Sequence, residues 1–196
     1  MVGKILTQTI EDTEELISYL EAGCKPIAAW KIGTEHEKFG YNKTSLKPLP
    51  YFGVCSIKSI LEGLQETFGW LPILEENQLI GLSKAGANIS LEPGGQLELS
   101  GAPLDNVHET CLEVANHLAE VKTIADRIGA GFIGLGAAPI WNHDDMPIMP
   151  KGRYKLMAPY MEKVGSHGTQ MMFRTCTVQV NLDYFSEKDM IRKLRV

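Results

Sequence analysis

Apolar residues recur at helical spacing in the N-terminal part of the chain and predict two amphipathic helices there. The first helix begins at the capping box Asp12-Thr-Glu-Glu15 and ends before Gly23. Ser56 can cap the second helix, because its hydroxyl can accept a hydrogen bond from a free backbone N–H, and Gly69 ends it. The apolar residues that define the second helix are Ile57, Ile60, Leu61, Leu64 and Phe68.

A third and longer helix is predicted from about Leu104 to Ile128, with Asp105 as its N-cap and Gly129 as its terminator. The residues expected to form its buried stripe are Val107, Cys111, Val114, Leu118, Val121 and Ile128. Two more helices are predicted in the C-terminal part, one over 153–164 and one that begins at Ser186.

Strands are predicted between these helices. The first runs from Trp30 to Tyr41, and a meander of short strands with tight turns occupies 70–101. A small apolar strand is predicted over 132–138 and the longest strand over 170–184, where Val178, Val180 and Leu182 are expected to face the core. Because a meander favours antiparallel pairing, the pattern indicates an α+β fold with a mainly antiparallel sheet.

Composition is typical of a globular protein and limits the partners. The 196 residues are enough for one domain with its own core, and the net charge of −5 gives no basic surface for nucleic acid. No apolar run approaches the roughly 18 residues needed to span a membrane. The first residues lack the features of a signal or transit peptide, so a cytoplasmic location is expected. The cysteines, expected to be reduced thiols without structural zinc, are Cys24, Cys55, Cys111 and Cys176.

Two of the predicted strands carry carboxylates where a buried strand should carry apolar side chains. Side chains at i and i+2 of a strand share a face, so Glu35 and Glu37 point the same way, as do Gln96 and Glu98. Like charges held close together cost free energy unless a cation lies between them. Carboxylate oxygens suit Mg²⁺ or Mn²⁺, and Mg²⁺ commonly accompanies nucleotide phosphates. The alternative is that these side chains simply line a solvated sheet face.

Four motifs, in order along the chain, resemble those of glutamate–cysteine ligases of the type shared by plants and many proteobacteria. They are Lys31-Ile-Gly-Thr-Glu-His-Glu-Lys-Phe-Gly40, Ser90-Leu-Glu-Pro-Gly-Gly-Gln-Leu-Glu-Leu-Ser-Gly-Ala-Pro-Leu104, Met149-Pro-Lys-Gly-Arg-Tyr154 and Arg174-Thr-Cys-Thr-Val-Gln-Val-Asn-Leu-Asp183. The resemblance implies a glutamine-synthetase-like carboxylate–amine ligase fold, in which a curved, mainly antiparallel sheet carries helices on its outer face. Members of that family are considerably longer. Residues 1–196 are therefore expected to be the N-terminal portion of a single catalytic domain, incomplete at its C-terminus.

The resemblance also implies ATP-dependent joining of L-glutamate to L-cysteine through a γ-glutamyl phosphate, the first step of glutathione synthesis. Glu35, Glu37 and Glu98 match the family's metal-binding glutamates, which hold two or three Mg²⁺ ions, with Mn²⁺ as a possible substitute. Glu92 is a further metal-ligand candidate near Glu98, although it precedes a proline in a turn and could simply face solvent. Gln96 and Gln179 are expected to lie near the metal and the nucleotide.

The remaining candidate site residues are assigned to substrate. Arg and Lys side chains can bind substrate carboxylates, tyrosine rings suit a cysteine pocket, and the strand after residue 174 presents a polar wall. The residues with these expected roles are Lys151, Arg153, Tyr154, Tyr160, Met172, Thr175 and Asn181, together with Arg174 as a catalytic candidate at the mouth of the site. For the wall, the alternative is one wet face of an antiparallel strand.

Two other functions remain open from the sequence. A related carboxylate–amine ligase with another amine acceptor would carry the same metal and ATP apparatus. The chain could also be an inactive fragment that only binds metal or nucleotide, and the isolated 196 residues are expected to lack appreciable ligase activity. No membrane partner is expected, and the oligomeric state is open.

Overall fold

A computed structural model describes residues 9–196; residues 1–8, which entered the prediction of location, lie outside the described residues. The described helices are α1 (Thr13–Glu21), α2 (Ile57–Phe68), α3 (Val107–Ile128), α4 (Gly152–Val164), α5 (Gly168–Arg174) and α6 (Glu187–Leu194). The described strands are β1 (Ile32–Asn42), β2 (Leu71–Glu75), β3 (Gln78–Lys84), β4 (Ala87–Leu91), β5 (Leu97–Ser100), β6 (Ala130–Ile133) and β7 (Val178–Leu182). None of these helices combines the length and apolarity needed to cross a membrane.

All strand pairs in the sheet are antiparallel, which confirms the predicted α+β class and pairing mode. The strands follow the order β2-β3-β4-β5-β1-β6, and β7 also pairs with β1. The meander β2–β5 brings β5 next to β1, although β1 precedes the meander in the chain. β1 is therefore the strand that joins the meander to β6 and β7.

The main core lies between one face of the sheet and helices α2 and α3. Leu97 and Leu99 of β5 face these helices, so Glu98 between them faces the other way. The capping prediction for α2 is confirmed, because the Ser56 hydroxyl accepts from the Ser59 N–H and Gly69 ends the helix with φ 72°. Fully buried residues of this core include Ile57, Ile60, Leu61, Leu64, Leu82, Ile89, Leu91 and Leu97.

A second cluster covers part of the opposite face. Phe39 follows the parity of Glu35 and Glu37 along β1, and its ring packs edge-on against Trp141 at a centroid separation of 5.5 Å. Met172 and Phe173 of α5 belong to the same cluster. The resemblance implied that the helices lie on one face of the sheet. This is not true of α5, which packs beside the carboxylate-bearing side of β1.

The predicted long strand over 170–184 is wrong in its first half. Residues Gly168–Arg174 form α5, and only Val178–Leu182 form a strand, so β1 is the longest strand described. Met172 and Phe173 are adjacent and both buried, which the alternation of a one-sided strand does not allow. The apolar face of β7 is not core either, because β7 pairs with β1 alone among the described strands and leaves Val178 73% exposed.

Two further boundaries differ from the prediction. The N-cap of α3 is Asn106 rather than Asp105, since the Asn106 side chain accepts from the N–H groups of His108 and Glu109. The small strand ends at Ile133, well before residue 138. The predicted stripe of α3 is confirmed in part, because Val121 is buried and Val114 and Ile128 pack against the core. Val107, Cys111 and Leu118 are exposed instead. The buried residues of α3 are Thr110, His117, Val121, Ile124 and Ala125.

Candidate functional site

Cross-strand register brings the predicted carboxylates together on the face of the sheet opposite α2 and α3. Glu37 of β1 lies directly opposite Glu98 of β5, and Glu35 lies opposite Ser100. Glu92 continues this face beyond β4, because its N–H donates to the Gln96 carbonyl at 2.9 Å. We call Glu35, Glu37, Glu92 and Glu98 the carboxylate face.

Short polar side chains hold these carboxylates in place. Glu37 accepts from both the backbone N–H and the hydroxyl of Thr177, at 2.9 and 3.0 Å. Glu35 accepts from the Asn181 amide at 3.0 Å, and Glu98 accepts from the Ser100 hydroxyl at 2.8 Å. β7 and the residue just before it therefore anchor the two β1 carboxylates, and a neighbouring residue of β5 anchors the third.

The carboxylates repel one another, and burial adds to this effect. The pKa of Glu37 is raised mainly by partial burial, against the Thr177 hydrogen bonds, and the charges of Glu98 and Glu35 raise it further. Burial, followed by the charge of Glu98, raises the pKa of Glu92 to about 7 in spite of Arg153 and Lys151. A divalent cation would relieve both effects, because it supplies positive charge to hard oxygen donors. Carboxylate oxygens are the donors that Mg²⁺ prefers, so the chemistry of these side chains suits the ion. No three His, Cys, Asp or Glu side chains among residues 9–196 are arranged around a single ion position.

A basic group borders the carboxylate face at the start of α4. The Lys151 ammonium donates to the Ser90 hydroxyl at 2.8 Å, and burial lowers its pKa to about 8. Arg153 donates to Glu92 at 3.2 Å and to the Tyr154 hydroxyl at 2.9 Å. The Arg153 side chain is 57% exposed, so its guanidinium remains accessible to an anionic ligand.

Tyr154 does not present a surface to a ligand in this arrangement. It is 1% exposed, its hydroxyl donates to the Leu91 carbonyl at 2.5 Å, and the same hydroxyl accepts from Arg153. Tyr160 lies on the same helix but is 61% exposed and has no hydrogen bond to the carboxylate face among the described residues. Substrate contact therefore stays a prediction for both tyrosines, and for Tyr154 it would require the ring to be uncovered.

The polar residues between β5 and β7 lie at the other border of the face. The buried Gln96 amide donates to the carbonyls of Thr175 at 2.8 Å and Met172 at 3.3 Å, while its Oε1 atom is buried without a partner. Gln179 of β7 lies opposite Glu35 and is exposed, with its amide bonded to Thr177. Both glutamines therefore adjoin the carboxylates, and their position near the metal and the nucleotide, which the resemblance implied, stays a prediction.

Arg174 and Met172 occupy α5 rather than a strand. The Arg174 guanidinium donates to Gln170 at 2.7 Å and its Nε atom is buried without a partner. Met172 is buried in the second cluster. Their roles at the substrate stay predictions, with Arg174 held at the end of a helix.

Three contributors to the site escaped the sequence prediction. Ser90 and Ser100 hold Lys151 and Glu98, and Lys38 lies buried directly behind Glu37. Burial lowers the pKa of Lys38 to about 8, against the opposing influence of Cys176, Glu98 and Glu37. The alternation of β1 could have shown Lys38 facing the core, since it shares a parity with His36. All four cysteines are free thiols, as expected.

Curated relatives cover nearly all of this chain. It is 58% identical over 182 residues to glutamate–cysteine ligase A, chloroplastic, of Oryza sativa subsp. japonica. That alignment covers 93% of the chain and 36% of the relative. It is 55% identical to the chloroplastic enzyme of Medicago truncatula, over 93% of the chain and 35% of the relative. The chloroplastic enzyme of Arabidopsis thaliana is 54% identical, with 93% and 34% covered. The chain thus spans about a third of the length of the curated relatives it matches.

These comparisons correct one expectation and establish the family. The expected cytoplasmic location is wrong, because the relatives are named chloroplastic. Residues 31–196, which include the carboxylate face and its basic border, match the glutamate-cysteine ligase family 2. The chain therefore belongs to glutamate–cysteine ligase family 2.

Proposed function

We propose that this chain forms part of an enzyme that joins the γ-carboxylate of L-glutamate to the α-amine of L-cysteine with consumption of ATP, the first step of glutathione synthesis. The observation that carries the proposal is the register that sets Glu37 opposite Glu98. Glu35 and Glu92 extend the same face, and the family supplies the reaction. We regard residues 1–196 as the N-terminal portion of a single catalytic domain.

We infer further that the sheet belongs to a glutamine-synthetase-like carboxylate–amine ligase fold. In support, the sheet is antiparallel, α2 and α3 cover one face, and the carboxylates occupy the other. In such a fold the sheet would curve around the carboxylate face.

The chemistry explains why carboxylates rather than a protein nucleophile carry the site. A carboxylate is a poor electrophile, and transfer of the ATP γ-phosphoryl group converts it to an acyl phosphate with a good leaving group. The amine then attacks the acyl carbon and phosphate departs. Phosphoryl transfer is catalysed mainly by positioning and charge neutralisation. Bound Mg²⁺, in two or three copies or replaced by Mn²⁺, would supply that neutralisation.

Each border of the face would then have its own task. Glu35, Glu37 and Glu98, with Glu92, would hold the cations, and Gln96 and Gln179 would contact the nucleotide. The accessible Arg153 guanidinium and the Lys151 ammonium would bind substrate carboxylates, with Arg153 held in place by Tyr154. The other residues proposed to line the substrate pocket are Tyr160, Met172, Arg174, Thr175 and Asn181.

Metal binding by the purified chain tests the central assignment. Mn²⁺ is titrated into the protein while the electron paramagnetic resonance signal of the free ion is recorded. Glu37→Gln and Glu98→Gln are each expected to weaken binding about tenfold or more, because each removes a charged oxygen donor. Glu62→Gln, which alters an exposed carboxylate paired with Lys58 on α2, is the matched control and should bind as the wild type does.

The assignment fails if both site variants keep wild-type affinity, or if the control loses as much as they do. The reaction itself is tested in the full-length protein by following ADP release and γ-glutamylcysteine formation, with cysteine compared against ammonia and other amino acids. Equal turnover with another amine would identify a related ligase instead.

A further inference from the structure

Lys38 is a buried cation on the opposite side of β1 from the carboxylate face. Its side chain follows Glu37 in the strand and therefore points to the α2/α3 side of the sheet. The residue is 4% exposed, which is exceptional for a lysine. The register partner of Lys38 is Leu97, the neighbour of Glu98. Lys38 is therefore next to the position at which Glu37 lies opposite Glu98, with its side chain on the other face of the sheet.

The Lys38 ammonium is tied to two strands and a helix. It donates to the His36 carbonyl of β1 at 3.2 Å and to the Leu97 carbonyl of β5 at 3.3 Å. It also lies 2.9 Å from Nε2 of His117 on α3. These contacts use all three donors of an ammonium group. His117 is the acceptor, since burial and the charges of Lys38 and His36 lower its pKa to about 3 and keep its ring neutral.

No carboxylate forms an ion pair with Lys38 among the described residues. A buried charge without an opposite charge nearby is strongly unfavourable. Glu37 precedes Lys38 in β1, and Glu98 follows Leu97, the register partner of Lys38, in β5. The two carboxylates therefore occupy the strand positions next to Lys38, on the other face of the same strand pair.

We propose that Lys38 is a fixed counter-cation behind the carboxylate face, which stabilises that face when it holds no metal and weakens its affinity for divalent cations. The proposal rests on the proposed function, in which these carboxylates bind Mg²⁺. Lys38 touches neither substrate nor metal and is a positioning residue that sets the affinity of the site. A bound divalent cation and Lys38 repel each other, so the site would release its metal more readily than the same carboxylates would without Lys38.

The stabilising half of the proposal is tested without metal, by a double-mutant cycle in EDTA. Urea unfolding is measured for Lys38→Gln, Glu98→Gln and the double variant; glutamine keeps polar donors but removes the charge. Lys38→Gln should raise the equilibrium constant for unfolding in both backgrounds. The rise should be at least about fivefold smaller in the Glu98→Gln background than in the wild type. Purely additive effects would show that Lys38 only supports the backbone, and would overturn the proposal.

The affinity half is tested by Mn²⁺ titration. Lys38→Gln should bind Mn²⁺ about fivefold more tightly, and Lys38→Arg, which keeps the charge, should bind as the wild type does. Lys84→Gln is the matched control, because it removes a lysine charge that Glu120 pairs on the other side of the sheet. Unchanged or weaker binding by Lys38→Gln would overturn the proposal.

An unfolded Lys38→Gln protein would still decide the question. Recovery of folding by Mn²⁺, or by the Glu98→Gln change, would support a counter-charge role, whereas recovery by neither would overturn it. If the wild type binds no Mn²⁺, the proposed metal site fails and the affinity half fails with it. The cycle in EDTA then decides the stabilising half on its own.

Discussion

Removal of one buried hydroxyl should measurably destabilise the border of the carboxylate face. The Tyr154 hydroxyl donates to the Leu91 carbonyl at 2.5 Å and accepts from Arg153 at 2.9 Å, and the residue is 1% exposed. Tyr154→Phe keeps the ring but loses a hydrogen bond worth about 1 kcal/mol and leaves the Leu91 carbonyl without its donor. We therefore expect a loss of about 2 kcal/mol in the free energy of unfolding, or roughly 4–8 °C in Tm for a domain of this size.

Urea unfolding followed by circular dichroism measures this loss. Tyr160→Phe is the control, because it makes the same chemical change on the same helix at a residue that is 61% exposed. It should change stability by less than about 0.5 kcal/mol. A Tyr154→Phe effect no larger than that of the control would refute the hydrogen-bond argument. Since Arg153 loses a partner, the same variant should also raise KM for the acidic substrate more than it lowers kcat.

Two further changes test the helix cap and the electrostatics of the face. Asn106→Ala should lower the free energy of unfolding by about 1 kcal/mol, because the Asn106 side chain caps two N–H groups of α3. Asp105→Ala is the control and should lower it clearly less. Equal losses in urea unfolding would contradict the assignment of Asn106 as the N-cap. Glu92, with its pKa raised to about 7, holds its proton more tightly when folded, so stability in EDTA should fall as pH rises from the unfolded pKa toward 7. Glu92→Gln should flatten that part of the stability–pH curve, and an unchanged slope would show that Glu92 is not responsible.

The carboxylate face was accessible to sequence reasoning because it depends on local alternation. Glu35 and Glu37 share a face whatever strand pairs with them, and the same holds for Gln96 and Glu98. The sequence could not say that Glu37 lies directly opposite Glu98, because register depends on which strands are neighbours. β1 precedes the whole meander in the chain, so this pairing is a long-range contact that no short pattern reports.

The errors arose where tertiary packing overrode local pattern. The Gln-Met-Met-Phe-Arg segment is compatible with an extended chain, whereas in the fold it forms a helix that buries Met172 and Phe173 in the same cluster as Phe39. The stripe of α3 was misjudged for a related reason. Apolar residues were assigned inward by type, whereas the helix buries His117 and Thr110 and leaves Val107 64% exposed.

The inward turn of His117 on α3 and the burial of Lys38 on β1 have one explanation. A buried lysine needs acceptors for three donors, and two backbone carbonyls of adjacent strands supply only two of them. A neutral histidine supplies the third, so the inward position of His117 on α3 satisfies the remaining donor of Lys38. Lys38 in turn adjoins the carboxylates whose mutual repulsion it offsets. The inward position of His117 is thereby tied to a buried cation next to the carboxylates, a dependence that hydrophobic periodicity alone cannot express.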